Sequence, residues 1–297
     1  MKIISDAEIL SLNISPAQCV EWVRQSFAEK KNADLPAKVM QHLPGNVFFN
    51  TMPCIVSRLN LYGVKIISRH PGASPSLRSV ISLFDLNSGI QTALMNGNWI
   101  TAMRTGAVAA LATKVLCSDF ASASIGMVGL GAMARSTIKC LASQFKTVHD
   151  VVLLRYKDHA ERFIRDCEDL DHVNFHIVDS KEELVRQTSV LISCVTSMDE
   201  QFLPAQSYPP GYLLVPVHTR GFQDCDLVFD RVVADDENHV RNFKNFSRFL
   251  QFAEFDEVLS GRLTGRSSNN ERIISYNIGL GLHDVYFAHK ILSELSR

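Results

Sequence analysis

The chain has 297 residues, 46% of them hydrophobic, with 30 basic against 31 acidic side chains and a net charge of −1. Mean hydropathy is +0.04, which suits a globular protein of about two domains. The interspersed charges give no basic tract for nucleic acid, and no apolar stretch approaches the ~18 residues that cross a bilayer. The opening residues, Met1-Lys2-Ile3-Ile4-Ser5-Asp6, lack the apolar core of a signal peptide. Seven scattered cysteines without a C-x-x-C pair read as reduced core thiols, so a cytoplasmic setting and no metal site are expected.

In chain order, Ser15 is placed to cap a first helix, with Pro16 in its opening turn and Val20, Val23 and Phe27 on one face. Strand-like runs follow at Val47–Phe49, Tyr62–Ile67 and Ser79–Phe84, and an Asn87-Ser88-Gly89 turn leads into Gln91–Met95. Strands without helices between them predict an antiparallel or mixed sheet. A helix rich in Ala and Leu is expected from about Trp99 to Leu116. From Ser122 the rhythm changes to strand and helix in alternation. Strands are expected at Ile125–Val128, Val151–Leu154, Val173–Ile177, Val190–Cys194, Leu213–Val217 and Val232–Ala234, and helices at roughly 132–145, 158–168 and 180–187. That alternation predicts a parallel sheet with helices on its faces. Residues 237–262 read as helical and irregular, 265–270 as a loop, and a last helix begins near Leu280. The fold class is therefore α/β: a Rossmann-type dinucleotide-binding domain of six strands over 118–270, and a discontinuous α+β substrate domain formed by 1–117 and 271–297. Such a division predicts a cleft at the carboxyl ends of the parallel strands.

The most telling stretch runs from Ile125 to Ala134, I-G-M-V-G-L-G-A-M-A. An apolar strand ends in Gly129-x-Gly131-x-x-Ala134, and Thr137, Ile138, Leu141 and Ala142 continue at helical spacing. Gly129 allows the tight turn, Gly131 lets backbone approach a pyrophosphate, and Ala134 lets helix pack close on strand. The helix start at Ala132 and Met133 then aims free N–H groups at the anion. Glycine turns are common, and it is the strand before and the helix after that point to a cofactor. The second strand ends in Arg155-Tyr156-Lys157, where an NAD-selective fold carries an acid for the ribose hydroxyls. Arg155 and Lys157 suit a 2′-phosphate instead, so the cofactor is NADP or NAD, with NADP favoured and Asp158 as the acid that would serve NAD. Val195-Thr196-Ser197 follows another buried strand and would set small hydroxyls beside the cofactor, although Thr-Ser is also ordinary turn chemistry.

Three cations suggest a carboxylate site. Lys65 interrupts the apolar strand Tyr62–Ile67, and a lysine there is costly to bury without an anion partner. Arg104 sits early in the Ala-rich helix among small neighbours, and Lys38 follows Leu35-Pro36-Ala37. Each alone reads as a surface cation; together they can bind the α-carboxylate of an amino, imino or keto acid, Arg104 in bidentate fashion.

With these residues in place the chain resembles the ornithine cyclodeaminase/mu-crystallin family over nearly its whole length. The resemblance rests on Met52-Pro53, Gly63-Val64-Lys65, Asp85-x-x-x-Gly89, Thr101-x-x-Arg104-Thr105-Gly106-Ala107 and Gly129-x-Gly131-x-x-Ala134. It continues through Val195-Thr196-Ser197, Glu254, Gly261, Gly265-Arg266 and Gly279-x-x-x-His283-Asp284. It implies a homodimer built by the first domain, NAD(P), and chemistry at the C–N bond beside a carboxylate, as in cyclodeaminases, alanine dehydrogenases and ketimine reductases. The family's carboxylate-binding cations fall here on Lys65 and Arg104, and a third, often arginine, falls on Lys38. One departure stands out. The acid that ornithine cyclodeaminases carry after the fifth strand falls near Arg220, within Val217-His218-Thr219-Arg220-Gly221-Phe222-Gln223-Asp224-Cys225-Asp226-Leu227. That leaves Lys65, His218, with an unshifted pKa near 6.5, and Asp224 as candidate acid/base groups. The expected function is hydride transfer at the α-carbon of a small amino acid or its imine. A cyclodeaminase forming proline is one alternative, and a non-catalytic binder of NADP or a small ligand is another.

Overall fold

The computed structural model describes residues 1–195, 198, 200–218 and 220–296. Two compact units are present, Met1–Arg104 with Leu280–Arg297, and Thr105–Gly279.

The first unit begins with β1 (Lys2–Ile4), α1 (Asp6–Ser11), α2 (Pro16–Glu29), β2 (Ala33–Asp34) and β3 (Val39–Leu43). The strands β4 (Val47–Val56), β5 (Leu61–Arg69), β6 (Leu77–Asp85) and β7 (Gln91–Asn96) follow, and then the helix α3 (Asn98–Leu116) starts. The seven strands form one mixed sheet in the order β1-β7-β6-β5-β4-β2, with β3 also on β4; only β1 and β7 run parallel. Strand alternation sends Leu61, Gly63, Lys65 and Ile67 of β5 to one buried face, beside Met52, Cys54 and Val56 of β4 and Ile81 and Leu83 of β6. The last helix, Gly281–Glu294, packs on β4, β5 and β6 and against α2. Trp22 of α2 meets Phe287 edge to face at 5.2 Å. Gly63 makes the close approach possible, since a Cβ there would fall 2.5 Å from a methyl of Val285. The helix α1 was not expected from the sequence: Ser5 and Glu8 cap it reciprocally, a signal that its six residues and weak periodicity obscure.

The elements of the second unit are β8 (Ile125–Val128), α4 (Ala132–Ala142), β9 (His149–Leu154), α5 (His159–Arg165), β10 (Val173–Val178), α6 (Lys181–Gln187), β11 (Val190–Ser193) and β12 (Leu213–Pro216). After them come β13 (Arg231–Ala234), α7 (Glu237–Val240), β14 (Phe252–Glu254), α8 (Phe255–Leu259) and β15 (Ile273–Tyr276). Strand and helix alternate from β8 to β11, and the chain then runs through β12 and β13 without an α-helix between them. The sheet is parallel throughout, ordered β10-β9-β8-β11-β12-β15-β13-β14, and β8, β11, β12, β13 and β15 are buried along their whole length, as sheets covered on both faces require. All six expected strands are present, but the sheet has eight. The two additions, β14 and β15, are three and four residues long and fall in stretches with no strand reading in the sequence, and β15 is inserted between β12 and β13.

Two sequence motifs gain structural reasons here. Arg266 donates through Nε to the Leu116 carbonyl at 2.7 Å, satisfying an end group of α3. Gly106 on α3 faces the backbone of α4: a Cβ would lie 2.6 Å from the Ser136 carbonyl carbon and from the Thr137 amide. Among the described residues no helix is long and apolar enough to cross a membrane, and six of the seven cysteines are buried. Burial pushes the Cys19 and Cys54 thiols up to about 12, so both are protonated and unreactive.

Gly106→Ala should cost about 3 kcal/mol in denaturant unfolding despite the ~1 kcal/mol of helix propensity it gains, because backbone cannot yield. Gly63→Ala meets side-chain methyls of Val285 and Leu83 rather than backbone and should cost less, about 1–2 kcal/mol. Equal costs at the two positions would show that the α3–α4 approach is not a constraint.

Candidate active site

In the first unit the strand β5 carries Lys65 into the buried face, with no exposed surface at all. Its Nζ lies 2.6 Å from Asp284 Oδ2 on the last helix. Arg104 donates its Nε–H to the other oxygen, Asp284 Oδ1, at 3.0 Å. That contact is made through Nε. The start of α3 is fixed by Asn98, whose side chain accepts from the Ser79 amide at 2.8 Å, and by Thr101, whose hydroxyl is 3.0 Å from Ser79 Oγ. Arg104, three residues on, therefore rises from the same helix face as Thr101. Lys38, half-buried between β2 and β3, is near enough for its charge to act on Lys65.

The electrostatics follow from burial. Loss of water, then the neighbouring Arg104 charge, push the Lys65 ammonium down to about 7, against the pull of Asp284. Burial opposes the charge on Asp284 too, but Arg104 and Lys65 more than offset it and hold the carboxylate below its ordinary range. Lys65 is thus poised to gain or lose a proton near neutrality beside a carboxylate that stays ionised. The structure brings Lys65 and Arg104 together on Asp284, while Lys38 acts on Lys65 through its charge. The anion that a buried Lys65 demands was foreseen from the sequence, but its identity was not; the signal was His283-Asp284, an apolar helix interrupted by an acid.

In the second unit Gly129 follows β8 with φ +76°. A Cβ there would fall 2.5 Å from the Cys194 carbonyl carbon and against the Val195 amide, so only glycine fits. Gly131 is the N-cap of α4 without a side-chain cap bond, and a Cβ on it would meet nothing within 4 Å. Ala134 is fully buried. The turn opens on a cavity of about 510 Å³ lined by Gly129, Leu130, Leu154, Tyr156, His159 and Val195, among others. The cavity lies where β8 and β11 part, with the chain leaving β8 toward β9 and β10 on one side and returning to β11 on the other; this is the switch point at which open α/β sheets bind ligands. Open space at Gly131, free helix N–H groups beginning at Ala132 and Met133, and a cavity of ligand size fit a dinucleotide.

The strand end is less open than its sequence suggests. Arg155 lines the cavity, but its Nε is 2.7 Å from Asp179 and its Nη1 pairs with Glu161. Lys157 takes a left-handed backbone, φ +53°, with its ammonium 5.4 Å from the Tyr156 ring centre. Thr196 and Ser197 lie outside the described residues. His218 needs a correction: burial pushes its pKa down to about 4 rather than leaving it near 6.5, so the ring is neutral at physiological pH and a weak proton donor. Its Nε2 lies 2.6 Å from Ser193 Oγ. Asp224 is exposed at the head of a short 3₁₀ turn. Its neighbour Asp226 is the buried acid of that loop; burial pushes it up to about 6, and the Tyr276 hydroxyl donates to it at 2.7 Å.

Known proteins share this sequence pattern and fold. The sequence model of the ornithine cyclodeaminase/mu-crystallin family matches residues 2–297. The nodulation efficiency protein NfeD of Rhizobium meliloti is 22% identical over 95% of this chain and 91% of its own. The ketimine reductase mu-crystallin of Mus musculus is 30% identical over 55% of this chain and 52% of its own. The solved structure of Thermococcus litoralis Delta(1)-pyrroline-2-carboxylate reductase, in complex with NADH and L-proline, superposes over 100% of this chain and 98% of that one, with a TM-score of 0.88 at 23% identity.

The two glycines should separate in experiment. Gly131→Ala should leave the melting temperature unchanged, since the methyl enters open space, yet weaken NADH at least about tenfold in a fluorescence titration by filling the phosphate approach. Gly129→Ala should lower both. Unchanged NADH affinity in Gly131→Ala would remove the turn from the cofactor site.

Proposed function

Because the chain belongs to the ornithine cyclodeaminase/mu-crystallin family, we propose that it is an NAD(P)-dependent oxidoreductase acting at the C–N bond of a small α-amino acid or its imine. The observation that carries this reading is the buried cation cluster. Lys65 and Arg104 are held by one carboxylate, Asp284, and Lys38 is close enough to add its charge. Two cations on one internal anion leave net positive charge for a substrate carboxylate while Lys65 is protonated. The glycine turn and its cavity supply the second requirement. A mouse relative named as a ketimine reductase and a Thermococcus litoralis neighbour solved with NADH and L-proline support the same reaction class.

When bound, the nicotinamide accepts or supplies the hydride. This chain's residues do the rest. Arg104 and Lys38 fix the substrate carboxylate, which orients the α-carbon. Lys65 binds the same group as an ammonium, and near neutral pH it can pass a proton to or from the substrate nitrogen. His218, neutral at physiological pH and tied to Ser193, carries no proton step in this scheme. Ornithine cyclisation draws no support from Asp224, which is exposed. A cytoplasmic homodimer is the setting we propose. The buried thiols support the compartment, and the outward apolar side chains Phe49, Ile66 and Val80 on one sheet face support a partner copy.

For the cofactor we propose NAD in preference to NADP, the reverse of what Arg155 and Lys157 suggest in the sequence. A 2′-phosphate would have to draw Arg155 away from Asp179 and Glu161, and two carboxylates repel it.

Lys65→Met should abolish reduction of Δ1-pyrroline-2-carboxylate while leaving NADH binding intact; retained turnover would remove Lys65 from the site. In the wild type the ammonium fraction of Lys65 falls as pH rises through about 7, so kcat/KM for imine reduction should fall above that pH and that for amino acid oxidation should rise. Lys65→Arg, charged throughout, should lose this limb. In equilibrium titrations NADH should bind more tightly than NADPH, and Asp179→Asn should tighten NADPH by about tenfold; a wild type that prefers NADPH would overturn the cofactor reading.

A further inference from the structure

We propose that Asp284 is a positioning residue of the substrate site: its two carboxylate oxygens hold Lys65 Nζ and Arg104 Nε in one fixed arrangement, so that the acid-binding clamp stands assembled before substrate arrives. The inference rests on the proposed function, and goes beyond it in assigning a role to a residue that touches neither substrate nor cofactor in that scheme.

Three observations carry it. First, the geometry is bridging. Oδ2 is 2.6 Å from Lys65 on β5 and Oδ1 is 3.0 Å from Arg104 on α3, so one side chain fixes two cations from different elements. Second, the arrangement is enclosed. Lys65 and Asp284 have no exposed side-chain surface and Arg104 has 8%, so water does not screen the attraction and loss of one partner strands the other in a dry interior. Third, the helix that delivers Asp284 is itself fixed on both sides. Gly281 lies close under the β4 backbone, where a Cβ would sit 3.0 Å from the Met52 carbonyl oxygen. His283 Nδ1 is 2.7 Å from Ser26 Oγ on α2, and the Tyr286 hydroxyl donates to Gln25 at 3.0 Å. A carboxylate placed so rigidly is an organiser rather than a mobile counter-ion.

The ionisable groups that act on Asp284 are Lys65 from β5, Arg104 from α3, His283 on its own helix and Cys54 from β4, with Lys38 acting on Lys65; β6 and α2, which also pack on this helix, add none to that set. Of these, Lys65 is the group whose titration Asp284 governs by direct contact. The carboxylate favours the ammonium against both burial and the Arg104 charge. Removing it leaves two like charges facing each other in an apolar interior, which lowers the Lys65 pKa further.

The test uses the full chain with Δ1-pyrroline-2-carboxylate and NADH. Asp284→Asn should bind NADH as the wild type does and lose about a hundredfold in kcat through misplacement of the clamp. The pH limb of its residual activity should move down by about one unit, since the ammonium has lost its anion. Asp284→Glu, which keeps the charge, should return the limb toward the wild-type position. A purely structural role would lower activity without moving the limb, so an unmoved limb in a folded, NADH-binding Asp284→Asn protein overturns the proposal. Thermal unfolding provides a readout that needs no turnover. The double variant Lys65→Met/Asp284→Asn should melt higher than Asp284→Asn alone, because no lysine is left stranded. Equal melting temperatures overturn the proposal as well. A wild type that reduces no imine refutes the proposed function, and the melting comparison still decides the bridge.

Discussion

A positive charge buried within an apolar sheet face constrains the first unit more than any other feature. Lys65 has no water to solvate it, and an unpaired ammonium in such a place would cost several kcal/mol or shed its proton. The fold answers with a carboxylate delivered by a helix that joins the sheet from the far end of the sequence, and with small residues that let the helix come close. Gly63 and Gly281 are empty of side chain where the helix meets the strands. The charge therefore explains the packing around it, and the packing holds the charge in a state that can change near neutral pH.

The second unit solves a different problem with similar means. An anion such as a pyrophosphate needs backbone donors at short range, which requires glycine at the turn and a helix whose first N–H groups point into open space. Gly129 is held in place by the chain at Cys194 and Val195, while Gly131 borders nothing. The same sequence motif thus contains one glycine demanded by the protein's own backbone and one whose missing Cβ leaves room for a ligand. In both units, close approach of backbone or helix is what gives the site its shape.

Much of this was legible in the residues. The glycine turn, the alternation of strand and helix after Ser122, and the three cations follow from period, spacing and the cost of burying charge. What was not legible depended on distance along the chain or on environment. The strand β15 is only Ile273–Tyr276, and its place between β12 and β13 is a tertiary choice that no local pattern records. Asp284 as the partner of Lys65 is a contact across more than two hundred positions. Arg155 reads as a phosphate ligand until Asp179 and Glu161, from two other segments, are seen to hold it. His218 reads as a group titrating near neutrality until burial removes its proton. Sequence identifies which side chains can do chemistry; the surroundings decide which ones are free to.

The interrupted composition of the first unit also bears on how the molecule is made. Residues 105–279 form one uninterrupted compact unit, whereas residues 1–104 need a helix that begins at 281. A chain emerging from the ribosome in order can close its nucleotide-type sheet first, while the earlier sheet waits with one apolar face and its lysine uncovered. Long-range closure of this kind is slow and leaves sticky surface exposed in the meantime. Nascent chains of this protein are therefore most vulnerable to aggregation not at the start of synthesis but in the interval before the final helix docks.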